Sequence, residues 1–363
     1  MRKKYIDNIR WITVALVVIY HVFYIFNGSG VLGGVGSFSD THYQDIVLYI
    51  LYPWFMLLLF VVSGMSARFY LETHTHREFI KSKTTKLLIP STLALFVFWW
   101  ILGYFNLKIG GAFENMQAVP KPILYIIMSV SGTGPLWYIQ LLWMFSMGLV
   151  LLRKIEKDRL WNFCGKTNCL ILIMLALLVW GAAQIGNTPV VTAYRFGIYG
   201  TGYLLGYFVF SHDEVMNRLE KIYLPICASA IIFGIAFTAV FWGKPYAEHI
   251  VLDTPLCNLY AWTAVLAILS FMKKRGNFEN GFTRFMIKKS WGLYLFHYLP
   301  LAACAYYIYN ADIPVALKYI TTAFSSFFGG VFLYGIISRI PVLRYVVCGI
   351  TGGAECSDIN SAL

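Results

Sequence analysis

The chain has 363 residues, of which 59% are hydrophobic, 18% aromatic and only 13% charged, and its mean hydropathy is +0.65. A water-soluble fold cannot hide that much apolar surface, so the two or three soluble domains that this length would ordinarily suggest are excluded and lipid is the expected solvent. The formal charge of +12, from 29 Lys and Arg against 17 Asp and Glu, would also suit nucleic acid, and only the placement of the cations decides between the two.

Taken in order, the chain divides into ten apolar stretches of about 17 to 25 residues, the length that crosses a hydrocarbon core of ~30 Å as a helix. The predicted spans lie near 9–27, 46–67, 87–107, 135–152, 168–186, 195–211, 222–242, 256–272, 290–309 and 317–338. The expected fold class is therefore all-α: a polytopic membrane bundle of about ten transmembrane helices. A single domain is expected over 1–345, followed by a short cytosolic tail at 346–363. Of the 29 basic residues, 24 fall before span 1, at its entry, or in the even-numbered connections and the region after span 10. The other five are Lys108, Lys121, Arg195, Lys244 and Lys318. By the positive-inside rule both termini are cytosolic. Cations spread over six short loops match lipid topology rather than one duplex-binding stripe, which removes nucleic acid as a partner.

Span 1 follows Met-Arg-Lys-Lys but is too long for a signal-peptide core and precedes no Ala-x-Ala site, so it is expected to be retained. Gly28-Ser-Gly30-Val-Leu-Gly33 has the letters of a dinucleotide fingerprint, yet it follows a membrane helix and not a strand, and reads as a loop. His74-Thr-His76 lacks a third ligand at a recognisable spacing, so no metal is expected. Asn27-Gly-Ser29 has the pattern of a glycosylation acceptor but is given no role. The seven cysteines lie in spans or cytosolic segments, and no disulfide framework is expected.

Ionisable groups at membrane depth are costly and therefore informative. No Asp or Glu falls within a span; the basic groups that stand out are Arg10 at the inner edge of span 1, His21 deep within it, His297 in span 9 and Arg195 at the outer edge of span 6. Arg10 and His21 are eleven residues apart, which at ~100° per residue is three turns plus about 20°, so they share one helix face about 16 Å apart along the axis. Histidine suits general-base work near neutral pH, whereas a buried histidine also serves as a hydrogen-bonding residue between helices. Ser290 and His297, seven residues apart, share a face of span 9 that either flanks a ligand or bonds a neighbouring helix. Arg195 either snorkels or meets an acidic or sugar ligand.

Asp7-Asn-Ile-Arg10, ten residues and then His21 resembles the first-helix signature of the acyltransferase-3 family of integral membrane O-acyltransferases. Four further segments agree in order: Phe60-Val-Val-Ser63-Gly64, Lys83-Thr-Thr-Lys86-Leu-Leu-Ile-Pro90, Gly134-Pro-Leu-Trp137-Tyr138 and Ser290-Trp-Gly-Leu-Tyr294-Leu-Phe-His297. Arg339-Ile-Pro-Val-Leu-Arg344 resembles the tail of glucan-modifying members. One departure is Lys83 and Lys86, where the family usually has two arginines; the charge is kept but the planar fork that grips phosphate is lost.

The resemblance implies transfer of an acyl group, acetyl or succinyl, from cytosolic acyl-CoA to a hydroxyl of a cell-envelope glycan or related acceptor, across the plasma membrane (the inner membrane of a bacterium). Acyl-CoA would be a co-substrate, with no permanently bound cofactor. Arg10, Lys83 and Lys86 would hold the donor's phosphates, with Ser290 and His297 flanking it. His21 would act as general base or carry the acyl group covalently. Trp137, Tyr294 and Ser290 are candidate oxyanion donors, and Asp7, Ser63 and Arg195 are further candidates. No polar segment is long enough for the extracytoplasmic domain that many members carry, so a separately encoded transferase partner is one route to the final acceptor. A multi-spanning solute or glycan transporter is the rival from another class; it is opposed by the absence of an intramembrane acid. A catalytically silent scaffold is the third reading.

Overall fold

The computed structural model describes residues 3–39, 42–188 and 193–351. It is an all-α bundle, and among the described residues β-pairing is confined to one bridge between Asn187 and Arg195. Among the described residues, seven helices are long and apolar enough to cross a membrane: Lys4–Tyr24 (α1), Tyr43–Leu71 with its regular part Ile46–Leu71 (α2), His76–Ile109, Gly134–Glu156, Tyr223–Phe241, Pro255–Arg275 and Val315–Ile337. Four shorter apolar helices, Lys121–Ser131, Cys169–Ala183, Phe196–Phe210 and Tyr298–Ile308, accompany them. The spans expected at 168–186, 195–211 and 290–309 thus correspond to helices shorter than a full crossing, or to two in series.

The helix starts follow from their sequences. Thr75 and Glu78 close a reciprocal capping box ahead of His76–Lys83 (α3), and Asn168, Thr254 and Asn280 each accept a hydrogen bond from the first turn that follows. We define the basic end of the bundle as the one where α1 starts and α2 finishes. The far end carries the loops after α1 and before Pro255.

Three interruptions differ from the expected straight spans. After α3 the chain widens into π-turns at Thr84–Leu88 and Leu95–Trp99 before Trp100–Ile109 (α4). Pro90 lies between them and cannot donate to the preceding turn, while Ser91 Oγ and Thr92 Oγ1 donate to the Leu87 and Leu88 carbonyls at 2.7 and 2.6 Å. The second is an additional helix, Lys121–Ser131 (α5), in a region expected to be loop. It packs along α4 and meets Trp137–Glu156 (α6) through the break at 132–136. Third, the ninth element is longer than expected at the basic end. It runs as Gly281–Phe296 (α11) and continues as Tyr298–Ile308 (α12), with a turn at His297.

Between α4 and α11 in sequence come α7 (Cys169–Ala183), α8 (Phe196–Leu205), α9 (Tyr223–Phe241) and α10 (Pro255–Arg275); α13 (Val315–Phe324), α14 (Gly330–Ile337) and α15 (Pro341–Cys348) close the chain. The boundary expected at 345 falls inside α15, which is tied to the bundle by the Trp291 indole N–H donating to the Cys348 carbonyl at 3.0 Å. Residues 352–363, including Cys356, lie outside the described residues.

Helix α2 is the centre of the bundle, buried over most of its length. Its contact with α8 and the π-turn Gly206–Phe210 that continues it is backbone to backbone: a Cβ at Gly64 would collide with the Tyr203 carbonyl, and one at Gly206 with that of Val61. Small residues are required wherever membrane helices approach this closely. The packing holds α1 between α2 and α11, which fixes the face carrying Arg10 and His21.

Candidate active site

At the basic end, Arg10 is buried, with its guanidinium bonded to Ser66 Oγ on α2 and 3.4 Å from Asp7 one turn away. Asn8 donates to the Gly276 and Phe278 carbonyls at 2.7 and 2.8 Å and accepts from the Trp11 indole at 2.8 Å, which pins the loop after α10 to the start of α1. Lys83 is buried beside them, and the charges of both Arg10 and Lys86 act on it. Three cations drawn from α1 and the α3 region therefore gather in one place. With the Asp7 carboxylate beside Arg10 the cluster still carries more positive than negative charge, a balance that attracts an anion.

At the far end, His21 lines a cavity of about 610 Å³. Its walls are mainly aromatic: Tyr20 and Tyr24 of α1, Tyr52 and Phe55 of α2, Trp137, Tyr194 and Tyr298. Val31, Leu32 and Gly33, within the glycine-rich segment read as a loop, form part of the rim, where Tyr24 Oη donates to the Leu32 carbonyl at 2.5 Å. Glu248 and Ala247 form another part.

His297 packs against His21 from a fully buried position, with its Nε2 3.1 Å from His21 Nδ1. Its own Nδ1 faces the Tyr294 and Leu293 carbonyls at 2.8 and 3.1 Å, and His21 Nδ1 also faces the Val17 carbonyl at 2.8 Å. Carbonyl oxygens only accept, so in the neutral pair each Nδ1 carries the proton. His297 Nε2 is then the acceptor for His21. By this assignment the basic nitrogen of His21 is Nε2, which has no hydrogen-bond partner among the described residues. Of the two readings open for the face shared by Ser290 and His297, His297 takes the one that bonds a neighbouring helix, at His21, two turns along from Ser290.

A buried polar chain lies between the two ends. Ser63 Oγ is 2.9 Å from Tyr138 Oη, the Tyr138 and Tyr294 rings are 5.6 Å apart, and the Tyr294 hydroxyl donates to the carbonyl of Pro135, a cavity-lining residue. Ser290 Oγ donates to the Ile287 carbonyl of its own helix at 3.1 Å. Of the three candidate oxyanion donors, Trp137 alone lines the cavity, and its indole N–H has no partner among the described residues. Arg195 neither snorkels nor enters the cavity. It is buried and bonds the Leu252 carbonyl at 3.2 Å and Asp253 at 3.4 Å.

A family model described as an acyltransferase domain matches residues 3–339. The chain belongs to the acyltransferase-3 family. No curated protein and no solved structure matches it. The protein is thus a membrane acyltransferase, and the matched region includes the cation cluster, the histidine pair and the cavity of this acyltransferase. The residues that sequence reasoning missed, Tyr24, Tyr52, Tyr194 and Tyr298, are cavity-lining aromatics. Single tyrosines in apolar helices carry no periodic signal and read as interfacial anchors.

Proposed function

We propose that this acyltransferase moves an acyl group from acyl-CoA, bound at a cytosolic basic end, to the hydroxyl of an envelope glycan or related acceptor entering the far-end cavity. The observation that carries this reading is His21 Nε2, unpartnered among the described residues in a cavity of about 610 Å³, with its other nitrogen held by Val17 and His297. Arg10, Lys83 and Lys86 receive the donor's phosphates. The pantetheine arm follows α1 over the ~16 Å from Arg10 to His21, which requires Tyr138 and Tyr294 to move aside.

In the transfer, His21 Nε2 takes the acceptor's hydroxyl proton as its oxygen attacks the thioester carbonyl carbon. The carbonyl oxygen becomes an oxyanion facing the Trp137 indole N–H. Collapse breaks the C–S bond, and the leaving thiolate receives the proton from His21 to give CoA and an ester. During this cycle the charge on His21 is shared with His297 through their common hydrogen bond. No carboxylate needs to be buried for this purpose.

The test uses purified protein with labelled acetyl-CoA, following donor binding and thiol release separately. The reading expects release by the native protein, binding without release by His21→Ala, and weakened binding by Arg10→Ala. Solute flux in liposomes with no thiol release would instead support the transporter reading.

A further inference from the structure

A second concavity, of about 830 Å³, faces outward between α2, α9 and α10. Helix α9 leans on α10 and leaves a crevice against α2, walled by Ile50 and Trp54 on one side and by Ile231, Ile235 and Trp242 on the other. Its polar side chains are already satisfied. Trp54 Nε1 and Tyr260 Oη both donate to the Ile50 carbonyl at 2.7 Å, and Thr238 Oγ1 donates to Gly234 at 2.9 Å. A crevice at membrane depth that offers no free hydrogen bond accommodates hydrocarbon and nothing more polar.

At its far end a run of packed aromatic side chains joins its wall to that of the cavity. Trp242 packs against Tyr49 at 5.4 Å, Tyr49 against Tyr246 at 5.6 Å, and Tyr246 Oη meets Tyr20 Oη at 3.1 Å, beside His21. The connecting loop is held by Tyr49 Oη donating to the Lys244 carbonyl at 2.5 Å. It carries the exposed Lys244, two residues after the crevice-lining Trp242 and with its ammonium 5.3 Å from the Phe241 ring centre, and Glu248 in the cavity lining. Lys244 is one of only five cations placed away from the basic end, where an ammonium group complements an anionic headgroup.

We propose that the crevice binds the hydrocarbon chain of an anionic membrane lipid, placing the headgroup beside Lys244 and its hydroxyl over the cavity rim, so that the acceptor arrives anchored in the bilayer. This rests on the reading of the cavity as the acceptor site and narrows the acceptor to a lipid-borne one.

The experiment places the full chain in nanodiscs containing phosphatidylglycerol with a photoactivatable group on its acyl chain, with the equivalent phosphatidylcholine as comparison. Adducts are expected in 46–54 and 227–242, favouring phosphatidylglycerol several-fold. Ala239→Trp, which fills the crevice from an exposed lining position, should reduce them several-fold, whereas Ile232→Trp on the exposed face outside the crevice should not. Lys244→Glu should abolish the preference for the anionic lipid. Uniform labelling of all exposed helices, or labelling unchanged by Ala239→Trp, overturns the site. CoA release by the native protein is measured in the same discs. Selective labelling without release retains the lipid site but removes its role as acceptor site, while release without selective labelling rejects the lipid site alone.

Discussion

His21, Trp137 and His297 are assigned three separable parts, and single substitutions should separate them. Replacing His21 with Ala should lower the transfer rate by about 10²- to 10⁴-fold, the range of a lost general base, while donor binding is retained. Trp137→Phe keeps the ring and removes the N–H; kcat should fall on the order of 10²-fold with little change in KM. His297→Leu removes one acceptor from a buried donor, an effect of about tenfold, and His297→Gln, whose amide oxygen can accept, should recover part of it. Steady-state kinetics on each purified variant checks all three. The shared face of Arg10 and His21 was legible from their spacing. The meeting of His297 with His21 was not, because 276 residues separate them and only the packing of α11 on α1 brings them together. The partner of Arg195 was hidden for a related reason: Asp253 lies 58 residues on, in a loop with no periodicity to reveal the pair.

At the scale of elements, close packing and local breaks decide where these groups stand. Gly64→Leu should drive a side chain into the Tyr203 backbone, with overpacking of about 1–3 kcal/mol or more, and is expected to reduce the monodisperse yield in size-exclusion chromatography. Full yield from that variant would show that α2 and α8 can separate without harm. The start of α1 is tied to the helix Asp213–Lys221 by Lys3 at 2.7 Å from Asp213, with Lys273 at 3.7 Å. Burial acts to raise the Asp213 carboxyl, but Lys3 and Lys273 outweigh it and hold it below its ordinary value. A depressed carboxylate contributes stability above its unfolded pKa and loses it as pH falls through the folded value. Asp213→Asn should therefore lower Tm slightly near neutral pH, with the difference vanishing in strongly acid buffer and shrinking in high salt. The helices themselves were legible from apolar length, whereas α5 was not. At 11 residues, opening on Lys121-Pro122 and ending at Ser131 ahead of Gly132-Thr-Gly134, it falls below the length that marks a span.

For the whole molecule, the arrangement is two sites on opposite ends of one helix, separated by Tyr138 and Tyr294. Cations collect at one end and a largely aromatic cavity with its histidine pair lies toward the other. This polarity follows from the sequence, since the distribution of Lys and Arg fixes which loops lie together, while the cavity walls come from six separate elements and have no sequence signature. Tyr294→Phe releases the Pro135 carbonyl and loosens the partition. It should raise the fraction of thioester lost to water relative to transfer, measured as CoA released per acyl group delivered.

The most direct test of the account is a comparison of native protein with His21→Ala and Arg10→Ala, using labelled acetyl-CoA and measuring bound donor and released thiol in the same samples. The account predicts release only by the native protein among tight binders, undiminished binding by His21→Ala, and weak binding by Arg10→Ala. Release by His21→Ala at the native rate, with the protein folded, would contradict it.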